Sequence, residues 1–157
     1  MSLPDEPAAA DVKIRPAGLG DLQALLGLEA LFPGDRLSRR AFRHHLANPR
    51  ARCLVAEADA VIVGYALLLA RADSPWWRVY SLVRDERAPA GTGRCLLDAA
   101  LALTRAAGAR GLRLEVRADN ARAIRLYRDV GFALFATVDG YYEDGGAALR
   151  MALDFTD

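Results

Sequence analysis

Hydrophobic and polar positions recur along this chain in two periods, and the switching between them predicts a succession of strands and helices. Residues 12–15 form a short extended segment stopped by Pro16 and Gly18. Residues 21–32 carry Leu22, Leu25, Leu26, Leu28 and Leu31 on one broad stripe, which predicts a helix ended by Pro33 and Gly34. Ser38 is placed to cap a second helix with Phe42 and Leu46 inward, stopped before Asn48-Pro49. Two apolar runs, 53–56 and 61–70, predict a hairpin turning at Ala58-Asp59-Ala60, and residues 76–83 a further strand. Residues 94–107 put Leu96, Leu97, Ala100, Leu101 and Thr104 on one helical face, with a stop at Gly108. Residues 112–117 alternate strictly, with Leu112, Leu114 and Val116 on one side and Arg113, Glu115 and Arg117 on the other. Asn120 opens a last helix that Gly131 closes, and residues 132–138 and 147–155 predict two final strands. No repeat or linker divides the 157 residues, which therefore read as one α/β domain. Residues 1–10 read as a disordered tail.

Composition narrows the function more than the fold. Hydrophobic residues make up 53% and charged residues 26%, the balance of a soluble globular protein. A formal net charge of +1 gives no global electrostatic case for nucleic acid or an anionic membrane. Cys53 and Cys95 have no metal-ligand spacing, so neither a metal site nor a disulfide scaffold is expected. Both read as inert buried thiols. His44-His45 reads as solvated surface, and Trp76-Trp77 as core or a dimer contact. No apolar run approaches the roughly 20 residues of a membrane span, and the opening segment lacks the basic start and apolar centre of a signal peptide. A cytoplasmic protein is expected.

The candidate chemistry lies in the second half. Gly91-Thr92-Gly93 sits where a helix begins, and such a turn lets backbone N–H groups approach phosphate oxygens. The same turn also serves as a plain cap for a core helix. A dinucleotide fingerprint fails because its third small position is Leu96, and no GKS or GKT makes a P-loop. Glu115, on the polar side of LRLEVR, is either a proton acceptor facing a cleft or an ion-pair partner of Arg113 and Arg117. Tyr127, at the end of AIRLY, is either a half-buried packing residue or a phenol placed to give a proton. Tyr141-Tyr142-Glu143 is either a turn or the wall of a pocket for an amine.

This layout, with the glycine turn, LRLEVRADNARAIRLYRDVGF and GYYEDGGAALRM, resembles the GCN5-related N-acetyltransferase superfamily over nearly the whole chain. Within it those segments are similar to bacterial ribosomal-protein alanine N-acetyltransferases. The resemblance implies a mixed, twisted sheet of about seven strands flanked by about four helices, splayed between the fourth and fifth strands. It also implies acetyl-CoA as co-substrate, with the pantetheine arm in the splay and no metal. On that basis Glu115 is the general base and Tyr127 the general acid that protonates the leaving thiolate. A backbone amide near Leu82 or Val83 on a bulged fourth strand polarises the acetyl carbonyl. The resemblance assigns Arg87, Ala88, Ala90, Gly91, Thr92, Gly93 and Arg94 to the pyrophosphate side of the cofactor, and Asn120 and Tyr127 to the pantetheine. Arg36, Tyr141, Tyr142 and Glu143 recognise the acceptor at the cleft mouth.

One segment departs from the superfamily. A glutamine or arginine, two residues and Gly-x-Gly is the usual pattern, whereas this chain has Ala88-Pro89-Ala90 before Gly91, with Arg87 one position early. Pro89 also removes an amide donor. A non-catalytic acyl-CoA-binding or scaffold domain of the same fold therefore stands as the alternative. The implied reaction is direct attack of a primary amine in a ternary complex, since no cysteine or serine is flanked by a recognisable base. A peptide α-amine, with a reference pKa near ~8 against ~10.4 for lysine, needs less help to lose its proton. A peptide terminus or small-molecule amine is thus the expected acceptor, and a homodimer is compatible with this reading.

Overall fold

The computed structural model describes residues 12–32 and 36–156. The opening segment and the Pro33-Gly34 helix stop lie outside the described residues. Seven strands form one sheet: β1 (Lys13–Pro16), β2 (Ala51–Ala58), β3 (Val61–Ala70), β4 (Trp76–Arg84), β5 (Gly111–Arg117), β6 (Ala133–Val138) and β7 (Ala148–Asp154). The helices are α1 (Leu22–Glu29), entered through a single 3-10 turn, α2 (Arg39–Ala47), α3 (Thr92–Ala106) and α4 (Ala121–Val130). The sheet order is β1-β2-β3-β4-β5-β7-β6. All neighbours are antiparallel except β4 and β5.

The central strands are apolar on both sides because each side has its own core. Leu54, Ala56, Ala66 and Leu68 face the layer formed by α3 and α4, with Leu96, Leu97, Leu112 and Tyr127. Cys53, Val55, Tyr65 and Leu67 face α1 and α2, against Leu25, Leu28 and Phe42. Successive residues of β2 and β3 thus serve opposite cores, which explains the near-continuous apolar runs. The β2–β3 hairpin turns through Asp59 and Ala60, both with positive φ (51° and 65°), so this turn is made without glycine. Ser38 caps α2 through the Ala41 N–H, and Asn120 caps α4 through the Ala123 N–H, as their spacing predicts.

The sheet opens at its parallel seam. β4 and β5 pair only from Trp76↔Gly111 to Val79↔Leu114, and beyond those pairs the strands part. Just past the last pair, β4 carries a bulge. Leu67 opposes Ser81 and Leu68 opposes Val79, which leaves Tyr80 without an opposite on β3. The bulge lies two residues before Leu82, the first of the two positions the resemblance implies. Seam closure depends on Gly111, because a Cβ there would come within 2.5 Å of the Trp76 ring and also collide with the Leu153 carbonyl.

Candidate active site

Three cavities share walls in succession through the opened seam. The first, of about 500 Å³, lies at the α3 N-terminus, with Gly91, Gly93, Arg94 and Arg122 on one side and Leu82 and Val83 on the other. A narrow one, of about 230 Å³, sits between the parted strands and is walled by Ser81, Leu82, Glu115, Asn120 and Tyr127. The third, of about 620 Å³, opens on the far side among Glu29, Arg36, Glu115, Tyr141, Tyr142 and Glu143. Leu82, Asn120 and Tyr127 belong to the first two, and Ser81, Glu115 and Tyr142 to the last two. Sequence positions 29 to 143 are thereby brought to one cleft.

At the α3 terminus, Gly91 adopts φ 89°, a left-handed conformation that suits glycine. Thr92 turns away from the cleft. It is fully buried, with both its N–H and its hydroxyl donating to the Pro89 carbonyl, so it offers no free amide. Among the described residues no backbone carbonyl takes the N–H groups of Gly91, Gly93 or Arg94. Ala88 is buried and its N–H closes a turn on the Asp85 carbonyl. Ala90, although exposed, is absent from the cavity wall, as is Arg87, whose guanidinium is held by Asp85. Arg84 and Arg122, which sequence reasoning passed over, do line this cavity, as does Glu86.

Tyr127 packs edge-on against Phe132, ring centroids 5.8 Å apart, and burial pushes its phenol up to about 12. It therefore keeps its proton across the working range. Glu115 is set in a dense donor field. Arg78 (3.1 Å) and Tyr141 (2.8 Å) donate to Oε1, and Arg150 (2.7 Å) to Oε2. Burial alone raises its carboxyl, but the Arg150 and Tyr141 hydrogen bonds and the two guanidinium charges outweigh that, so the net position is below the usual carboxylate range. The arginines involved differ from those that adjacency suggests. Arg113 lies over the Trp76 ring at 4.4 Å, and Arg117 pairs with Asp144 and Asp119 and covers the Tyr142 ring at 4.5 Å. Arg150 reaches Glu115 because the two are direct opposites on β7 and β5.

Residues outside the cleft settle two smaller expectations. His45 is half-buried beside Tyr80, 6.0 Å between rings, and its buried Nδ1 has no partner among the described residues. Its position is therefore not that of solvated surface. Burial pushes the Cys53 thiol up to about 12, whereas Cys95 is only partly covered. Among the described residues no cluster of three or more side chains suits a metal ion, and no helix is long and apolar enough to cross a membrane.

The sequence matches the acetyltransferase (GNAT) family over residues 20–132, and the chain belongs to that family. It is 36% identical to the N-alpha-acetyltransferase RimI of Mycobacterium tuberculosis, over 87% of this chain and 89% of that protein. It is 28% identical to an N-alpha-acetyltransferase of Sulfurisphaera tokodaii, over 97% and 98% of the two chains. Among solved structures it superposes on a ribosomal-protein alanine N-acetyltransferase from Escherichia coli with a TM-score of 0.80 and 26% identity, covering 91% of this chain and 93% of that one.

Proposed function

We propose that this N-acetyltransferase moves an acetyl group from acetyl-CoA to the α-amine of a peptide or protein N-terminus. The carrying observation is that Glu115 and Tyr127 wall the same narrow cavity in the opened seam, with an amide-lined cavity on one side and a wider one on the other. Acetyl-CoA supplies an acetyl group activated as a thioester. The N–H groups of Gly91, Gly93 and Arg94 and the guanidinium groups of Arg84 and Arg122 suit its pyrophosphate, while the Arg94 guanidinium is shared with Asp98 and Glu86 is the one opposing charge among the described residues at that wall. Asn120 and Tyr127 flank the passage between the cavities. Glu115 takes the proton that the acceptor ammonium must lose before the neutral amine attacks, and Tyr127 holds the proton that the leaving sulfur needs. Arg36, Tyr141, Tyr142 and Glu143 frame the acceptor. The relatives above are named as N-alpha-acetyltransferases and an alanine N-acetyltransferase, which supports the acceptor class.

Calorimetric titration with acetyl-CoA, followed by mass spectrometry of a panel of N-terminal peptides and small amines, tests the reading. Micromolar binding and acetylation of an α-amine are expected. Folded protein that binds no acetyl-CoA would defeat it, and binding without transfer to any amine would favour the scaffold alternative.

A further inference from the structure

A hydrogen-bonded chain leaves the narrow cavity through β4 and ends on a carboxylate in the wider one, and its polarity follows from that end group. Tyr65, on β3, is fully buried. Its hydroxyl lies 2.6 Å from Glu29 Oε2 and 2.9 Å from Ser81 Oγ. An ionised carboxylate only accepts, so Tyr65 gives its single proton to Glu29, and the Ser81–Tyr65 bond is then donated by Ser81. That leaves lone pairs on Ser81 Oγ free to accept. Ser81 lines both the narrow and the wide cavity, while Glu29 lines the wide one. Glu29 Oε1 is steadied by the Leu37 N–H at 2.7 Å. Phenylalanine would fill the Tyr65 site against Phe42, 5.6 Å between rings, so packing alone does not call for the hydroxyl.

Resting on the acetyltransferase reading, we propose that Ser81, Tyr65 and Glu29 form a second exit for the acceptor's proton, parallel to Glu115. The ammonium N–H proton passes to Ser81 Oγ as the Ser81 proton passes to the Tyr65 oxygen and the Tyr65 proton to Glu29 Oε2. The nitrogen keeps its electron pair and both hydroxyls end neutral. The net change is ammonium plus carboxylate to amine plus carboxylic acid, and Glu29 returns its proton to water in the wide cavity. Ser81 touches the acceptor, while Tyr65 and Glu29 act through it. Burial first, and the Glu29 carboxylate next, hold the Tyr65 phenol well above its ordinary value, so the transfer is concerted and passes through no tyrosinate. Facing groups are few. Cys53 of β2 approaches Tyr65 as a neutral thiol, and Arg36, Arg78, Glu115, Tyr141 and Glu143 surround the same cavity as Glu29.

The test uses the full chain with acetyl-CoA and an alanine-initiated peptide. Because the Glu115 exit remains, Tyr65→Phe, Ser81→Ala and Glu29→Gln should each lower kcat only about 2- to 5-fold alone, and about 10²-fold when combined with Glu115→Gln, with acetyl-CoA affinity unchanged. Each combined variant should also extend the rise of kcat with pH beyond the point where the parent enzyme levels off, because free amine must then be supplied by solution. A structural role would change the melting temperature or KM and leave that profile alone. Glu29→Gln and Ser81→Ala decide the matter if Tyr65→Phe does not fold. Combined variants that match Glu115→Gln in kcat and pH profile, with an active parent, overturn the relay alone. A parent enzyme that acetylates no amine overturns the acetyltransferase reading and the relay together.

Discussion

Glu115 shows how one side chain can be legible in a sequence while its surroundings are not. Strict alternation in residues 112–117 assigns Glu115 to the polar side of its strand, and the structure agrees. The same adjacency points to Arg113 and Arg117 as its partners, yet the arginines that hold it stand 37 residues before and 35 residues after it. Cross-strand pairing brings them there, and pairing depends on sheet order, which local periodicity does not contain. Sequence distance hid the Ser81–Tyr65–Glu29 chain in the same way. Glu115→Gln alone should cut kcat/KM only a few-fold, because the Ser81–Tyr65–Glu29 exit remains, and about 10²-fold when joined to Ser81→Ala, in the N-terminal peptide assay with acetyl-CoA affinity preserved. Arg150→Met removes the Oε2 donor and leaves burial less opposed, so the Glu115 carboxyl rises. The acid limb of kcat/KM, which depends on ionised Glu115, should therefore move to higher pH, as a pH–rate profile will read.

At the scale of the element, the α3 N-terminus combines a predictable frame with an unpredictable surface. Glycine spacing marks where the helix begins, and Gly91 does take the left-handed conformation its position demands. Which amides stay free depends on Pro89, whose carbonyl draws both donors of Thr92 inward. A proline that loses its own N–H thus also occupies a neighbour's. Positive charge beside this terminus comes from Arg84 at the end of β4, Arg94 within α3 and Arg122 in the first turn of α4, three separate elements. Arg87, the nearest arginine in sequence to the altered loop, is tied to Asp85 instead. Arg122→Ala should weaken acetyl-CoA binding about 5-fold, the effect of losing a partly exposed charge contact of ~1 kcal/mol, whereas Arg87→Ala should leave it unchanged. Parallel calorimetric titrations of the two variants will separate them.

Across the whole molecule, fold class and strand and helix succession were readable because alternating elements and ordered motifs agree along the chain, whereas the opening between the fourth and fifth strands came only with the family resemblance. The run of three cavities was not readable, since it arises from walls contributed by two strands, three helices and the loops between them at once. Gly111 ties the two parts of the sheet, pairing with Trp76 on β4 and Asp154 on β7. Gly111→Ala should cost about 1–3 kcal/mol by urea denaturation, because the clash falls on a backbone carbonyl and a large ring rather than on a flexible side chain. The parted seam has one more consequence. A strand edge without a neighbour ordinarily recruits whatever chain drifts by, and proteins blunt such edges at their surface. Here two such edges face each other inside the molecule, along β4 past Val79 and β5 past Leu114, with room between them for something narrow and extended. On the proposed function, a visitor carrying amide groups at intervals would enter that gap as a borrowed strand, and a bulky or branched one would find no room there.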